Sequence, residues 1–499
     1  MPVDREELRK LQNGSDIRGV AIGTAEHPAT LTEEAANRIA GAFARELSAR
    51  LQKPVRELTV AVGHDSRITS DWMLEAVLRG LTAAGARALD CALASTPSMF
   101  MSTVFPETAC DGAVMITASH LPFDRNGMKF FTPAGGLDKP DISSLLERAA
   151  GLSPEAGELS GVRRFDLLGR YAAHLRDCIR CGVGDGHDER PLAGLHLVID
   201  AGNGAGGFFV DRVLEPLGAD CTGSQFLEPD GTFPNHLPNP ENRAAMESVR
   251  AATLAAHADL GIIFDTDVDR MSAVLSDGEE VNRDAIIALM AAILAPQNPG
   301  ATIVTDSVTS DRLTVFLEGL GLRHRRFKRG YKNVINEAVR LERAGISAPL
   351  AIETSGHGAM RENRFLDDGA YLAVKLLIAA ANAARRGEQV GTLIAALPPA
   401  FEEREVRIPI SGEHCADYAK TVLEAFESRA REAGISVAES CEGVRLSFPE
   451  RGWLLLRMSL HDPLLPLNAE GVADGDCALL LATAKGLLSG FERLELSVL

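Results

Sequence analysis

Three aspartates at alternate positions are the sharpest chemical signal in the sequence. Residues 261–264 are apolar, and three carboxylates and a guanidinium follow them, at Asp265, Asp267, Asp269 and Arg270. Carboxylates spaced in this way on a tight loop can direct oxygen atoms at one centre, and oxygen ligands select a hard divalent cation. The pattern predicts a metal site with Mg²⁺ as the first choice, and a solvated acidic turn is the alternative. An EF-hand loop is disfavoured, because Arg270 stands where that loop needs glycine.

A second loop sets a hydroxyl beside an imidazole after the β-rich run that begins at residue 112. Ser119 and His120 lie in the segment Thr-Ala-Ser-His-Leu-Pro, and Lys129 follows in Asn-Gly-Met-Lys-Phe-Phe. A serine hydrolase is not indicated, because the Gly-x-Ser-x-Gly elbow is missing. Ser119 could instead carry a phosphoryl group, and an ordinary polar turn is the alternative.

Two later segments carry groups that suit a phosphorylated sugar. Glu353, Ser355 and His357 combine a carboxylate, a hydroxyl and an imidazole on one loop, and such groups pair with sugar hydroxyls. Arg457 and Ser459 end a predicted hairpin with a guanidinium and a hydroxyl, a combination that suits bidentate capture of phosphate.

Three other patterns leave alternatives open. The basic stretch 323–332 favours a rim that attracts phosphate over a nucleic-acid patch, and a solvated face is equally compatible with it. The glycine-rich run 200–207 matches a dinucleotide fingerprint, but a crowded strand-to-helix turn needs glycine in any case. Cys178 and Cys181 form a single Cys-x-x-Cys pair, which indicates two free thiols more than a zinc or redox site.

Charge and composition exclude several classes of protein. The 499 residues include 51 Lys and Arg against 69 Asp and Glu, a formal net charge of −18, which opposes general binding of nucleic acid. The longest apolar run, 285–295, is too short to span a bilayer, so no membrane association is expected. The charged N-terminus and eight scattered cysteines predict a cytoplasmic protein.

The elements that carry these loops alternate between β-rich runs and alanine- and leucine-rich helical patterns. In several stretches a short β-rich run ends in a polar loop, and a helical pattern is predicted to follow. This alternation predicts layered α/β domains, in which ligands gather beyond the carboxyl ends of the strands. From residue 405 onward the pattern changes to a strand, a helix, a hairpin and a closing helix, which indicates a smaller α+β domain.

Taken in order, the motifs resemble the α-D-phosphohexomutase superfamily, the phosphoglucomutases and phosphomannomutases. The resemblance is carried by residues 14–19, 62–67, 117–122, 265–270, 353–357 and 457–459. It implies three related α/β layered domains and a C-terminal α+β domain around a central cleft. The expected boundaries are 1–170 for the phosphoserine domain, 171–298 for the metal domain, 299–398 for the sugar-recognition domain and 399–499 for the phosphate-binding domain.

The resemblance also implies a role for each matched residue. The metal ligands would be Ser119, which becomes the phosphoserine, and Asp265, Asp267 and Asp269. The groups around the transferring phosphoryl group would be Arg18, His120, Lys129 and Arg270. Substrate would be bound by Glu353, Ser355, His357, Lys332, Arg457 and Ser459. Apolar neighbours such as Phe130 are expected around Lys129 and would suit its amine to proton transfer.

The implied activity is that of a mutase, an isomerase of carbohydrate metabolism, which interconverts hexose 1-phosphate and hexose 6-phosphate. It would proceed through phosphorylated Ser119 and a bisphosphorylated sugar, with Mg²⁺ as cofactor and hexose 1,6-bisphosphate as activator. Glucose or mannose phosphate is favoured as substrate. A phosphoglucosamine mutase, or a homologue that binds sugar phosphate with little mutase activity, is the alternative.

Four departures from the family pattern bear on activity. Thr266 and Val268 stand where most members carry glycine, and Leu460 and His461 replace an asparagine and a threonine. Oligomeric state and resting phosphorylation of Ser119 are not encoded in any recognisable pattern.

Overall fold

The computed structural model describes residues 4–438, 440–459 and 462–499. The chain divides into two compact units, each built from two stretches of sequence. The first unit extends to Leu294 and includes Ser355–Leu393, and the second consists of Ala295–Thr354 and Ile394–Leu499. Within the described ranges, no helix combines the length and apolar character needed to cross a membrane. Leu460 and His461 lie outside the described residues.

A mixed sheet of eight strands forms the N-terminal part of the first unit. The strands are β1 (Gln12–Asn13), β2 (Asp16–Val20), β3 (Thr59–His64), β4 (Arg87–Leu93), β5 (Gly112–Ile116), β6 (Arg125–Thr132), β7 (Gly135–Gly136) and β8 (Arg163–Arg164). The order across the sheet is β1-β2-β6-β5-β3-β4-β8, and β7 pairs with β6. Strands β5, β3, β4 and β8 run parallel, whereas β6 is antiparallel to both β5 and β2.

Six helices belong to the same region as this sheet. The longest helix is stabilised by apolar packing against the strands. The helices are α1 (Arg5–Lys10), α2 (Glu33–Leu51), α3 (Ser70–Ala83), α4 (Thr96–Met101), α5 (Lys139–Ala150) and α6 (Leu167–Gly182). Helix α2 begins after Thr32, whose hydroxyl accepts a backbone N–H of the first turn, and ends at Gln52 in the left-handed region. Its buried face contacts the sheet through Phe43, whose ring centroid lies 4.8 Å from that of Phe130.

A four-stranded sheet follows in the first unit. Its strands are β9 (Leu197–Asp200), β10 (Leu260–Phe264), β11 (Met271–Leu275) and β12 (Glu280–Val281), in the order β12-β11-β10-β9. Its helices are α7 (Arg243–Ala256) and α8 (Asp284–Leu294). Strand β10 is parallel to β9 and antiparallel to β11, and all five of its residues are buried.

The next segment contributes to both units. In the second unit, β13 (Thr302–Thr305), β14 (Arg323–Arg326) and β15 (Leu350–Ile352) form a parallel set with helices α9 (Asp311–Gly319) and α10 (Tyr331–Arg343). In the first unit, β16 (Gly358–Met360) and β17 (Leu366–Asp367) pair antiparallel, and α11 (Gly369–Ala384) follows them.

The C-terminal part of the second unit is an antiparallel sheet with two helices. The strands are β18 (Glu402–Pro409), β19 (Ser436–Ala438), β20 (Val444–Phe448), β21 (Gly452–Leu456) and β22 (Leu464–Gly471). Their order is β18-β22-β21-β20-β19, and the helices are α12 (Cys415–Glu432) and α13 (Asp476–Leu487). The predicted α+β character of this region is confirmed. The three preceding regions have the predicted α/β character.

Two of the polar loops lead into a strand where a helix was expected. Residues 117–124 join β5 to β6 and residues 265–270 join β10 to β11, and both pairs of strands are antiparallel. A parallel crossover needs a dozen or more residues, so connections this short can only return the chain alongside itself. The expectation of a helix directly after these loops is wrong, whereas their position at the carboxyl ends of buried strands is confirmed.

Gly127 on β6 occupies a position with no room for a side chain. A Cβ atom there would lie 2.2 Å from the carbonyl oxygen of Ile17 and 2.8 Å from that of Thr117. We expect Gly127→Ala to lower the free energy of unfolding by about 2 kcal/mol or more, because both neighbours are backbone atoms that cannot move independently. Urea denaturation measures this. Gly161→Ala is the control: its Cβ meets nothing within 4 Å, so a change of at most about 0.5 kcal/mol is expected. Equal losses in both variants would contradict the expectation.

Candidate active site

Ser119 lies in residues 117–125, which comprise the connection between β5 and β6 and the first residue of β6, and which we name the serine loop. Its hydroxyl donates a hydrogen bond of 3.1 Å to Oδ2 of Asp265 and lies 3.3 Å from Nδ1 of His120. The side chain is buried, and the backbone φ is +51°, in the left-handed region that non-glycine residues rarely adopt. The predicted meeting of this serine with the aspartates of the middle of the chain is confirmed by the hydrogen bond.

The acidic loop, residues 265–270, follows the buried strand β10. Thr266 and Val268, the two departures from glycine, are both fully buried, and Val268 has a φ of +66°. A β-branched residue in the left-handed region is strained and persists only where its surroundings fix it. The N–H of Gly369 donates to the carbonyl of Val268 and so helps to hold the loop.

The glycine-rich segment 200–207 packs against the acidic loop. The N–H of Ala205 donates to the carbonyl of Thr266 at 2.8 Å. A Cβ on Gly204 would lie 2.7 Å from the same carbonyl oxygen. Close backbone packing therefore accounts for a glycine of the apparent dinucleotide fingerprint.

The three aspartates have the donor set of a metal site. All three are fully buried, with ligand oxygens within 4.8 Å of one another. In the described chain, Oδ1 of Asp267 and Oδ1 of Asp269 are buried without a hydrogen-bond partner. Burial, together with the charges of Asp269 and Asp267, raises the pKa of Asp265 well above its ordinary value. Unpaired buried carboxylate oxygens fit a divalent cation, so this triad could hold a metal ion.

Lys129 reaches the same acids from strand β6. Its amine lies 3.1 Å from Oδ2 of Asp267 and forms an ion pair with Oδ2 of Asp269. Although burial opposes ionisation of Asp269, the charge of Lys129 holds the pKa of that carboxyl below its ordinary value. The expectation of apolar surroundings is wrong at the amine, because the alternation of β6 directs this side chain to the acidic loop. Thr96, which sequence reasoning missed, donates a further hydrogen bond to Oδ2 of Asp267.

Arg270 and His120 form a pair beside Ser119. One terminal nitrogen of Arg270 lies 2.7 Å from Nδ1 of His120, and its Nε lies 3.7 Å from Oδ2 of Asp265. A guanidinium can only donate, so Nδ1 of His120 must accept and the imidazole is neutral. The charge of Arg270, followed by burial, lowers the pKa of His120 far below its ordinary value. His120 is therefore a fixed neutral ring and Arg270 carries the positive charge.

Arg18 approaches the serine loop from β2. It donates at 3.0 Å to the carbonyl of Ala118 and pairs at 3.0 Å with Asp16. Its Nε is buried without a hydrogen-bond partner in the described chain. Arg18 therefore lies next to the serine loop, and its Nε is available to donate a hydrogen bond.

Ser355 and His357 belong to the first unit and lie beside the acidic loop. The N–H of Met271 donates to the carbonyl of Gly356, and Nδ1 of His357 lies 3.8 Å from Oδ1 of Asp269. Burial and the charge of Arg270 lower the pKa of His357 to about 3. Asp367, which sequence reasoning missed, lies 2.6 Å from Nδ1 of His357. The adjacent acids before helix α11 are the sequence signal that could have indicated it.

A terminal nitrogen of Arg270 also lies 3.5 Å from Oδ1 of Asn239 and 3.6 Å from Oε2 of Glu241. These two residues belong to a segment that is anchored through His236. Nε2 of His236 lies 3.0 Å from Oδ2 of Asp200, and its Nδ1 lies 3.0 Å from a backbone carbonyl. Both ring nitrogens face acceptors, which favours the imidazolium. Burial alone would lower the pKa of His236, but the hydrogen bond to Asp200 and the charge of Asp200 outweigh it, so the pKa is raised.

The raised pKa of His236 predicts a pH-dependent contribution to stability. A cation with a raised pKa stabilises the fold fully below its ordinary pKa of 6.5, and this contribution is lost as the pH rises through the higher folded-state value. We expect His236→Gln to lower the free energy of unfolding by about 1 kcal/mol at about pH 5.5, and by less at about pH 9. Chemical denaturation at both pH values measures the difference. A loss that is equal at the two pH values would contradict the assignment.

In the second unit, Glu353 and Thr354 are buried and already bonded within the protein. Oε1 of Glu353 accepts from the N–H of Gly330 at 2.6 Å. The hydroxyl of Thr354 donates to Asp306 at 2.8 Å. Thr354 therefore has a structural partner. Lys332 lies half-buried near the start of helix α10.

Arg457 and Arg329 give the second unit a cationic site. Arg457 is buried, and its Nε has no hydrogen-bond partner in the part of the chain that is described. Burial and the charge of Arg329 lower the pKa of Arg457. The N–H of Arg329 is held by Glu442 at 3.1 Å. A buried guanidinium with an unused donor near a second guanidinium suits an anion such as phosphate. Ser459 follows, with its hydroxyl accepting from the N–H of Asp462.

The basic stretch 323–332 divides into two parts. Arg325 and Arg326 on β14 form ion pairs with Glu337 and Asp311. Those side chains are structural, whereas Arg329 belongs to the cationic site.

The cysteines of the Cys-x-x-Cys pair are both free, as predicted.

The sequence matches family models described as phosphoglucomutase/phosphomannomutase, alpha/beta/alpha domains. Domain I matches residues 9–152, domain II matches residues 170–278 and domain III matches residues 282–401. Together these matches cover well over half of the chain, and they include the serine loop, the acidic loop and the segment from Glu353 to His357.

Individual relatives align over nearly the full length. A phosphomannomutase/phosphoglucomutase of Pseudomonas aeruginosa is 31% identical over 456 residues, which cover 91% of this chain and 90% of that protein. A phosphoglucomutase of Neisseria gonorrhoeae is 30% identical over 474 residues, 94% of each chain. The crystal structure of a phosphoglucomutase/phosphomannomutase family protein from Burkholderia thailandensis is 27% identical, with a TM-score of 0.80 over 97% of this chain and 98% of that one.

Proposed function

Because this chain belongs to the α-D-phosphohexomutase superfamily and is a phosphohexomutase, we propose that it transfers a phosphoryl group between O1 and O6 of a hexose through phosphorylated Ser119. The observation that carries the proposal is the hydrogen bond between the Ser119 hydroxyl and Asp265. It joins a nucleophile to a buried acidic triad, and Lys129 and Arg270 supply positive charge on the same triad. A protein that only binds sugar phosphates has no need of this arrangement.

In the first transfer, the free hydroxyl of a hexose monophosphate attacks the phosphorus of phospho-Ser119. The new P–O bond forms to the sugar, the bond between phosphorus and Oγ breaks, and the proton released by the sugar hydroxyl ends on Oγ of Ser119. Lys129, whose amine is paired with Asp267 and Asp269, is our choice for transferring this proton. The products are unmodified Ser119 and a hexose 1,6-bisphosphate.

In the second transfer, the bisphosphate has turned over and Oγ of Ser119 attacks its other phosphorus. The bond between that phosphorus and the sugar oxygen breaks, the proton released by the Ser119 hydroxyl passes to that oxygen, and Ser119 is phosphorylated again. The product is the isomeric hexose monophosphate. Hexose 1,6-bisphosphate is thereby both the intermediate and the activator that phosphorylates resting enzyme.

Charge stabilisation is the main task of the protein in such a transfer. Arg18 and Arg270 are proposed to face the equatorial oxygens of the moving phosphoryl group, and neutral His120 to orient Arg270. Mg²⁺ is the proposed ion, and Asp265, Asp267 and Asp269 together with phosphorylated Ser119 would hold it. When bound, it would polarise the phosphoryl group as a Lewis acid.

The substrate is proposed to be held by its hydroxyls and by its second phosphate. The sugar-binding residues would be Glu353, Ser355 and His357. The residues for the non-reacting phosphate would be Arg457, Ser459 and Lys332. Glucose or mannose phosphate is favoured over glucosamine phosphate.

A coupled assay tests the proposed function. Purified protein is given glucose 1-phosphate, mannose 1-phosphate or glucosamine 1-phosphate, each with catalytic hexose 1,6-bisphosphate and Mg²⁺, and formation of the 6-phosphate is followed. We expect turnover of the glucose or mannose ester. Tight binding of these esters without turnover would favour the non-enzymatic alternative, and turnover of only the glucosamine ester would overturn the sugar assignment.

The role proposed for Arg457 has its own test. Removing the guanidinium removes a bidentate phosphate contact, so Arg457→Met is expected to raise KM for the hexose monophosphate by about tenfold or more. Steady-state kinetics measure it. Arg451→Met changes an exposed arginine in the turn between β20 and β21 and is expected to leave KM unchanged. An unchanged KM in Arg457→Met would exclude the phosphate role.

The cellular setting and the domain limits are part of the same proposal. All eight cysteines are free, which suits a reducing cytoplasm. The boundaries 1–170, 171–298, 299–398 and 399–499 remain predictions, and limited proteolysis at the joints is the measurement that tests them.

A further inference from the structure

The guanidinium of Arg67 is buried and bonds the serine loop at four backbone positions. Its side chain is fully inaccessible to solvent. One terminal nitrogen donates to the carbonyls of Pro122 and Arg125 at 2.7 Å and 2.9 Å. The other donates to the carbonyls of Ser119 and Leu121 at 2.5 Å and 2.6 Å. A rigid planar fork of this kind fixes the relative positions of its acceptors.

Asp65 connects this fork to the start of the loop. Its Oδ2 lies 3.3 Å from Nε of Arg67 and accepts the hydroxyl proton of Thr117 at 2.7 Å. The hydroxyl oxygen of Thr117 in turn accepts from the N–H of Ser119 at 2.8 Å. The carboxylate also balances the buried charge of Arg67, so the three side chains form one connected network, although Nε of Arg67 makes no hydrogen bond within the described chain.

The network holds Ser119 on both sides of its α-carbon. Thr117 accepts from its N–H, and Arg67 donates to its carbonyl. The residue between these two bonds has a φ of +51°, a conformation that persists only where the surroundings over-determine it. With this backbone, Oγ of Ser119 reaches Asp265.

We propose that Arg67 and Thr117, joined through Asp65, are positioning residues that keep the serine loop in the conformation that presents Ser119 to the acidic loop. The inference rests on the proposed role of Ser119 as the phosphoryl carrier. These residues touch the backbone of the loop and none of the reacting atoms. A displacement of about 1 Å in a reacting group costs about 10²-fold in rate, so a network of this kind is expected to act on kcat.

Replacement of the threonine hydroxyl gives the sharpest test. Thr117→Val has the same shape but can neither accept from Ser119 nor donate to Asp65, whereas Thr117→Ser keeps both functions. We expect Thr117→Val to lower kcat by about 10- to 100-fold with KM changed less than about threefold. Thr117→Ser is expected to stay within about threefold of wild type. Thr253→Val makes the same change at an equally buried threonine of α7 and should keep wild-type kinetics.

Hydrogen exchange supplies a readout that does not depend on activity. In the full chain, the peptide covering residues 117–125 is expected to exchange faster in Thr117→Val and in Arg67→Lys, while peptides of β10 and α7 keep their wild-type rates. A lysine ammonium has three N–H donors on one nitrogen and cannot span four carbonyls. If Arg67→Lys does not fold, the threonine variants alone decide the matter.

The outcomes separate this inference from the proposed function. A Thr117→Val protein with wild-type kcat and wild-type exchange of the serine loop would overturn the positioning role. Absence of phosphate on Ser119 in wild-type protein after incubation with hexose 1,6-bisphosphate would instead overturn the phosphoryl-carrier role. Faster loop exchange in Thr117→Val would then still support the network as the device that fixes the loop.

Discussion

Turnover of hexose phosphate is expected to fall by at least about 10³-fold in Ser119→Ala, because the variant has no oxygen to carry the phosphoryl group. Residual binding and charge stabilisation cannot replace a missing covalent step. Incubation with hexose 1,6-bisphosphate labelled in its phosphate should label wild-type protein on Ser119 and leave the variant unlabelled. Intact-mass spectrometry detects the adduct of roughly 80 Da.

Controls distinguish loss of the nucleophile from loss of structure. The Ser119 hydroxyl also donates to Asp265, so the melting temperature of the variant must be compared with that of wild type. Ser102→Ala removes an equally buried hydroxyl that donates to the carbonyl of Met99 in α4, and should keep full activity. An active Ser119→Ala enzyme would eliminate the phosphoserine mechanism.

Removal of divalent cations is expected to abolish activity, and Asp267→Asn is expected to lower it by about 10²-fold or more at any Mg²⁺ concentration. The reason lies in the donor set. Asp267 is fully buried, one of its oxygens has no hydrogen-bond partner in the described chain, and the other accepts from Thr96 and Lys129. A neutral amide reduces the negative charge of the site and presents an N–H₂ group that cannot bind a cation.

The measurement is activity against added Mg²⁺ after chelation, for wild type and variant. Asp277→Asn makes the same change in charge on an exposed turn and should follow the wild-type curve. Full turnover by chelated wild-type protein would refute a role for the metal.

The fold was predictable where the periodicity is strong. The spacing of apolar residues alone indicates the buried strand β10 and the helix α12. The direction of the chain after the polar loops could not be predicted from composition. The length of the connections before β6 and β11 decides between a hairpin and a crossover. Pairing of strands is a long-range property that a local pattern does not contain.

The candidate site was predictable as a set of residue types, but not as a set of contacts. The motifs indicated Ser119 and the three aspartates, and their hydrogen bond is found. The amine of Lys129 lies among carboxylates because a strand far from them in sequence directs it there, and its apolar neighbours on β6 gave no sign of this. Thr96 was missed for the same reason, since its partner Asp267 is distant along the chain.

The interleaving of the two units has a genetic consequence. The first unit needs Ser355–Leu393 as well as everything up to Leu294, and the second unit supplies the stretch between them. A premature stop codon shortly after position 294 would leave Ser119 and the acidic loop translated but would delete His357, Asp367 and helix α11. A gene divided at that point could therefore not yield two self-sufficient halves, and recombination that exchanges one unit intact would require three simultaneous crossovers.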